Sequence, residues 1–176
     1  MEYLTIEGCR RLITKDLSEG VTRMKLDVFE VVEPKFPVTF RQSKDVYETM
    51  QTFAKSDREM FFIVFLNTRN RMLDYVVHTV GTIDSSAVYA RDVIRSAVIH
   101  NASSIIICHN HPSGDPEPSA CDKEITRALI AAFEIIGIKI LDHIVMGNGR
   151  YFSFEDEGLI ERYKVEASEI LRRLNL

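Results

Sequence analysis

The sequence predicts an α/β fold of the mixed α+β kind, a mixed β-sheet between helices, from three observations. Two apolar runs, Phe61-Phe62-Ile63-Val64-Phe65-Leu66 and Ser104-Ile105-Ile106-Ile107-Cys108, are rich in β-branched and aromatic residues and too short for buried helices. Stretches of helix-forming residues alternate with such runs, and that alternation yields a sheet with helices packed on its faces. Finally, 176 residues with 45% hydrophobic and 27% charged content suit one soluble domain with a sizeable core.

The elements follow in order. Residues 1–40 read as an N-terminal extension in which Arg23-Met-Lys-Leu-Asp-Val-Phe29 alternates polar and apolar residues, as a half-buried strand does. Pro34 and Pro37 break the chain before a helix at 44–55. Residues 41–155 form the main domain, with strands expected at 61–67, 72–80, 104–108 and 138–146 and helices at 87–100 and 119–136. Gly137 is placed to stop the last of these helices. Gly147-Asn148-Gly149 reads as a turn, after which Tyr151-Phe152-Ser153 returns as a short strand. Residues 156–176 form a final helix that offers Ile160, Tyr163, Ala167, Ile170, Leu171 and Leu174 to one face, for packing on the same domain.

The densest chemistry lies in His109-Asn-His111-Pro-Ser-Gly-Asp-Pro-Glu-Pro-Ser119-Ala-Cys-Asp122, or H-x-H-x7-S-x2-D. Residues two apart on an extended chain point to the same side, so His109 and His111 aim both rings at one point as the strand ends. Pro112 to Pro118 contains Gly114 and must be a loop, and Asp122 falls in the first turn of the next helix. Two imidazoles and a carboxylate make three zinc ligands, leaving the fourth position to water, the pattern of a catalytic site. A plainer reading stands beside this one. Ser119-x-x-Asp122 resembles a helix-capping box, and an acid in the first turn suits the helix dipole.

Composition limits the alternatives. No apolar run is long enough for a membrane span, and the N-terminus lacks the basic start and apolar core of a signal peptide, so a cytoplasmic location is expected. Cys9, Cys108 and Cys121 cannot all pair with one another, which suits reduced thiols. Cys108 and Cys121 flank the histidine motif, but both are placed as small buried hydrophobes rather than ligands. A formal charge of −4 argues against broad binding to DNA, which rests on phosphate neutralisation; Arg10-Arg11, Arg69 with Arg71, and Arg172-Arg173 are the local basic candidates.

The motif matches that of the JAMM (MPN+) metalloproteases at every fixed position. The surrounding residues resemble the RadC family in particular: His109-Asn-His-Pro-Ser-Gly-Asp-Pro-x-Pro-Ser-x-x-Asp122, Gly81-Thr82, Tyr89-Ala-Arg91-Asp92 and Asp142-His143-Ile-Val-Met-Gly147. The resemblance covers about residues 40 to 155. It implies the JAMM fold, similar to that of the cytidine deaminases, with one zinc ion per chain held by His109, His111 and Asp122. It also implies a glutamate general base upstream of the histidines. Glu59, directly before the apolar run at 61–66, is the candidate; Glu48 and Glu30 precede no such strand. Ser119 would hydrogen-bond the water or the developing oxyanion. The implied activity is zinc-dependent hydrolysis of a peptide or isopeptide bond.

RadC proteins are labelled DNA repair proteins, and the competing reading is a noncatalytic repair or recombination accessory on a metal-binding scaffold. Typical members carry an N-terminal region with a helix-hairpin-helix-like element, whereas only residues 1–40 precede the matching region here, which weakens the expectation of direct DNA contact. In that respect the chain is similar to short RadC-like proteins of mobile elements. A third reading, a zinc nucleobase deaminase suggested by the related fold, is disfavoured by the missing H-x-E…P-C-x-x-C signature. His143 is open to a supporting role beside the metal or a purely structural one, and Arg91 to a substrate carboxylate or an internal acid. His78 reads as structural, and His100 as a helix-ending cation. Substrate identity and oligomeric state are not legible in the sequence.

Overall fold

A computed structural model describes residues 38–81 and 88–174 in full and, of residues 1–37, the backbone of four strands. Those strands are β1 (Glu2–Ile6), β2 (Cys9–Lys15), β3 (Thr22–Leu26) and β4 (Phe29–Val32), paired antiparallel in sequence order. Where one strand was expected over Arg23 to Phe29, Leu26 of β3 instead pairs antiparallel with Phe29 of β4. Pro34 and Pro37 lie outside the described residues.

The remaining elements are α1 (Ser43–Met50), β5 (Met60–Leu66), β6 (Met72–Val80), α2 (Ala90–Ile99), β7 (Ser104–Asn110), α3 (Ala120–Ile136), β8 (Lys139–Met146), β9 (Tyr151–Ser153) and α4 (Leu159–Arg173). Five of them form one mixed sheet in the order β6-β5-β7-β8-β9, in which only β7 and β8 run parallel. The parallel pair needs a crossover, which α3 supplies. The expected helix at 44–55 is two pieces, α1 and a 3-10 turn at Gln51–Lys55 that buries Phe53. Gly137 ends α3 in the left-handed conformation, at φ 71°.

β5 is buried along its whole length, so its two side-chain rows feed two cores. Phe61, Ile63 and Phe65 pack with Ile105 and Ile107 against α2, α3 and α4. Met60, Phe62, Val64 and Leu66 pack with Ile106 and Cys108 against α1 and Phe53. The result is a mixed sheet between helices. α4 contributes Ile160, Tyr163 and Ala167 to the first core, whereas Ile170 and Leu174 on the same expected face are exposed. None of the described helices is long and apolar enough to cross a membrane.

The second half of the sheet is tied together by a buried acid. Asp142 of β8 accepts hydrogen bonds from the backbone N–H of His143 (2.7 Å) and Glu155 (2.9 Å) and from the Ser153 hydroxyl (2.7 Å). It therefore fixes β9 and the approach to α4. Burial pushes its carboxyl from the ordinary 3.8 up to about 6, and the three donors restrain the rise.

Asp142→Ala is expected to cost about 2–4 kcal/mol in denaturant unfolding with chelator present, because it orphans buried donors. Asp142→Asn should cost less, since its carbonyl oxygen keeps both backbone donors. The raised pKa means that the native state holds the Asp142 proton more tightly than the unfolded chain does. Its contribution to stability is greatest below about pH 4 and is lost as pH rises to about 6. The stability difference between wild type and Asp142→Asn should change across that window and be flat above it.

Candidate metal centre

The centre forms where β7 ends. Strand alternation sends Ile105, Ile107 and His109 to the α3 side of the sheet and Ile106, Cys108 and Asn110 to the other. In the antiparallel pairing Phe61 faces His109, so the residue just before β5, Glu59, arrives beside the end of β7. Asn110 secures this entry. Its side-chain oxygen accepts the Met60 N–H (2.9 Å), and its side-chain nitrogen donates to the Arg58 carbonyl (3.0 Å). The backbone on both sides of Glu59 is thereby held by the residue between the two histidines.

Asp122 comes from the opposite element. Ser119 is the N-cap of α3, and the two residues form a reciprocal capping box. The Ser119 N–H (2.7 Å) and hydroxyl (2.6 Å) both donate to Asp122 Oδ2, while the Asp122 N–H donates back to Ser119 Oγ (3.1 Å). Capping and convergence on the histidines are thus one arrangement rather than two alternatives. His109 Nε2 lies 3.3 Å from Asp122 Oδ1, His111 Nε2 lies 3.5 Å from Oδ2, and the two Nε2 atoms are 2.9 Å apart. Ligand atoms of a tetrahedral zinc sit about 3.3 Å from one another, given Zn–N bonds of about 2.0–2.1 Å. The donor set and its spacing fit such an ion.

Glu59 stands slightly apart, with Oε1 4.0 Å from His111 Nε2; one ligand atom from each of Glu59, His109, His111 and Asp122 lies within 4.8 Å of the others. Burial works against charge on Asp122, but the neighbouring imidazoles of His109 and His111 and the hydrogen bonds from Ser119 outweigh it and hold the carboxyl far below the usual range. The bond to Asp122 in turn raises the pKa of His111, against partial burial.

Each histidine is braced from behind. His111 Nδ1 is 2.7 Å from the Asp115 carbonyl, to which it must donate. His109 Nδ1 is 2.8 Å from Nε2 of His143, which is fully buried and stacked on Phe154. Burial, reinforced by His109, pushes the pKa of His143 well down and keeps it neutral. Sequence reasoning missed Asn110 and Thr126. The legible signals were the amide flanked by two candidate ligands and a threonine one helical turn after Asp122.

The other candidates lie elsewhere. Cys108 is buried in the α1-side core, where burial pushes its thiol pKa up, and Cys121 packs against the α3-side core. Glu48 is on α1, 3.7 Å from Lys44, and Glu30 falls in β4. Arg91 is exposed, lies over the Tyr89 ring and is 3.8 Å from Asp92. His78 is half-buried with its ring 6.3 Å from that of Phe61, and burial lowers its pKa. His100 caps α2, stacks on Phe65 and donates from Nδ1 to the Ser96 carbonyl. Arg69 and Arg71 sit at the exposed β5–β6 turn, and Arg172-Arg173 in the last turn of α4.

Residues 40–159 match the RadC-like JAB domain. The chain belongs to the RadC-like JAB domain family. It is 40% identical over 138 residues to a UPF0758 protein of Methanosarcina mazei, covering 78% of this chain and 59% of that relative. A UPF0758 protein of Pasteurella multocida is 34% identical over 160 residues, covering 90% and 66%. One from Chlorobaculum parvum is 42% identical over 119 residues, covering 67% and 54%. The chain thus spans roughly half to two thirds of the length of these relatives.

In this RadC-like domain the loop between His111 and Ser119 is shaped by a glycine on another element. A Cβ built on Gly147 would meet the Gly114 carbonyl oxygen and would lie 2.8 Å from Pro116 Cδ. The same carbonyl accepts the Asn148 N–H at 2.9 Å. Gly147→Ala should therefore push the loop away and loosen the Asp115 brace on His111. Zinc affinity measured by chelator competition is expected to fall by about 10-fold or more, with helical circular dichroism retained.

Proposed function

We propose that this RadC-like protein is a zinc-dependent hydrolase that cleaves an amide bond of the peptide or isopeptide class. The observation that carries the reading is the spacing within the cluster. The two histidine Nε2 atoms stand 2.9 Å apart, each 3.3–3.5 Å from one oxygen of Asp122, and a fourth group, the Glu59 carboxylate, stands 4.0 Å from His111. Three ligands with an acid beside them is the arrangement that catalytic zinc requires.

His109, His111 and Asp122 would hold the ion. Bound zinc supplies a Lewis acid that makes water a competent nucleophile at neutral pH. Glu59 accepts the proton of the attacking water and passes it to the leaving amine, which departs neutral. Asn110 keeps Glu59 in reach through its bonds to Met60 and Arg58. Ser119 fixes Asp122, and its hydroxyl would turn from Oδ2 to the oxyanion as negative charge develops there.

The test is Glu59→Gln. It should bind zinc as tightly as wild type while hydrolysis of a peptide and isopeptide library falls by at least about 100-fold. Wild-type rates in this variant would remove Glu59 from the mechanism. A zinc-loaded wild type that cleaves nothing in the library would favour the noncatalytic accessory reading.

A further inference from the structure

We infer that Thr126 and His143 are positioning residues that set the tautomer of His109, so that Nε2 rather than Nδ1 is offered to the metal. The inference rests on the reading of His109 as a ligand.

Thr126 Oγ1 is 2.6 Å from the Asp122 carbonyl oxygen. A carbonyl can only accept, so the one hydroxyl hydrogen of Thr126 points there. Thr126 Oγ1 is also 2.6 Å from His143 Nδ1, and with its hydrogen committed it can only accept, so His143 Nδ1 carries a hydrogen. His143 is fully buried and its two ring nitrogens meet Thr126 and His109 rather than a carboxylate, so the ring carries a single N–H, which leaves Nε2 as an acceptor. The 2.8 Å contact between His143 Nε2 and His109 Nδ1 must then be filled by a hydrogen on His109 Nδ1. His109 Nε2, the atom facing Asp122 and His111, is left bare.

His111 is oriented by a shorter route: its Nδ1–H donates to the Asp115 carbonyl, which turns Nε2 to the centre. The two Nε2 atoms meet across 2.9 Å beside the Asp122 carboxylate, a contact that a proton on His111 fills and that a metal ion between them can replace. The chain starts at the backbone of Asp122, whose side chain is itself a proposed ligand. Thr126, one turn along α3, thus couples the protonation pattern of His109 to the helix that delivers the carboxylate. Thr126 and His143 are fully buried, so no water competes for these bonds.

Long-range nitrogen–proton NMR of metal-free protein near neutral pH reads the tautomers directly, and chelator competition reads zinc affinity. In wild type, His109 should carry its hydrogen on Nδ1. Thr126→Val keeps the volume but cannot accept from His143; His109 should shift toward the Nε2–H form, and zinc affinity should fall about 10- to 100-fold. Thr126→Ser keeps the hydroxyl and should restore both. A wild-type His109 protonated on Nε2 would overturn the inference whether or not the variants fold, as would unchanged tautomer and affinity in Thr126→Val. Failure of the underlying reading looks different: His109→Ala would then retain full zinc affinity.

Discussion

Burying a carboxylate costs several kcal/mol unless hydrogen bonds and opposite charge replace its water, and Asp122 is 3% exposed. One oxygen takes two donors from Ser119, and the two oxygens face His111 and His109. The positive end of α3 adds to the compensation. The charge is stable only where a helix begins, a serine caps it and two imidazoles approach, and that confines the centre to the junction of β7 and α3. If the Asp122 carboxylate is neutralised, the cap and the convergence of the rings both lose a partner.

The sheet supplies the other half of the constraint. Strand register decides which side chains meet: Phe61 opposite His109 brings Glu59 to the centre, and Ile107 opposite His143 lets His143 reach His109. Asn110 points the other way and uses the opposite face to hold the segment around Glu59. Alternate residues of one short stretch therefore divide the work, His109 and His111 facing the centre and Asn110 fixing the approach. Gly147 and Gly114 close the remaining side by allowing the β8–β9 turn to lie against the loop.

Much of this was legible in the sequence. The apolar runs of β5 and β7 announce strands because both faces are buried, and Gly137 marks the end of α3 because only a residue tolerant of positive φ fits there. Short-range chemistry was legible too, since the H-x-H spacing and the acid at a helix start follow from local geometry. What depends on distant partners was not. No local pattern says that Asn110 bonds to Arg58 and Met60, or that His143 meets both His109 and Thr126. The 3-10 turn at 51–55 escaped because its residues carry the same apolar spacing as a continuing helix, and Phe53 is satisfied by the core in either form. The division into β3 and β4 escaped because alternation alone does not mark where one strand ends and the next begins.

The most direct test of the metal centre is elemental mass spectrometry on untagged protein purified without chelator, with Asp122→Ala alongside. About one zinc per chain in wild type, and none in the variant, is the expected result for a site of three ligands. No metal in wild type after zinc is added, or equal zinc in Asp122→Ala, would contradict the account.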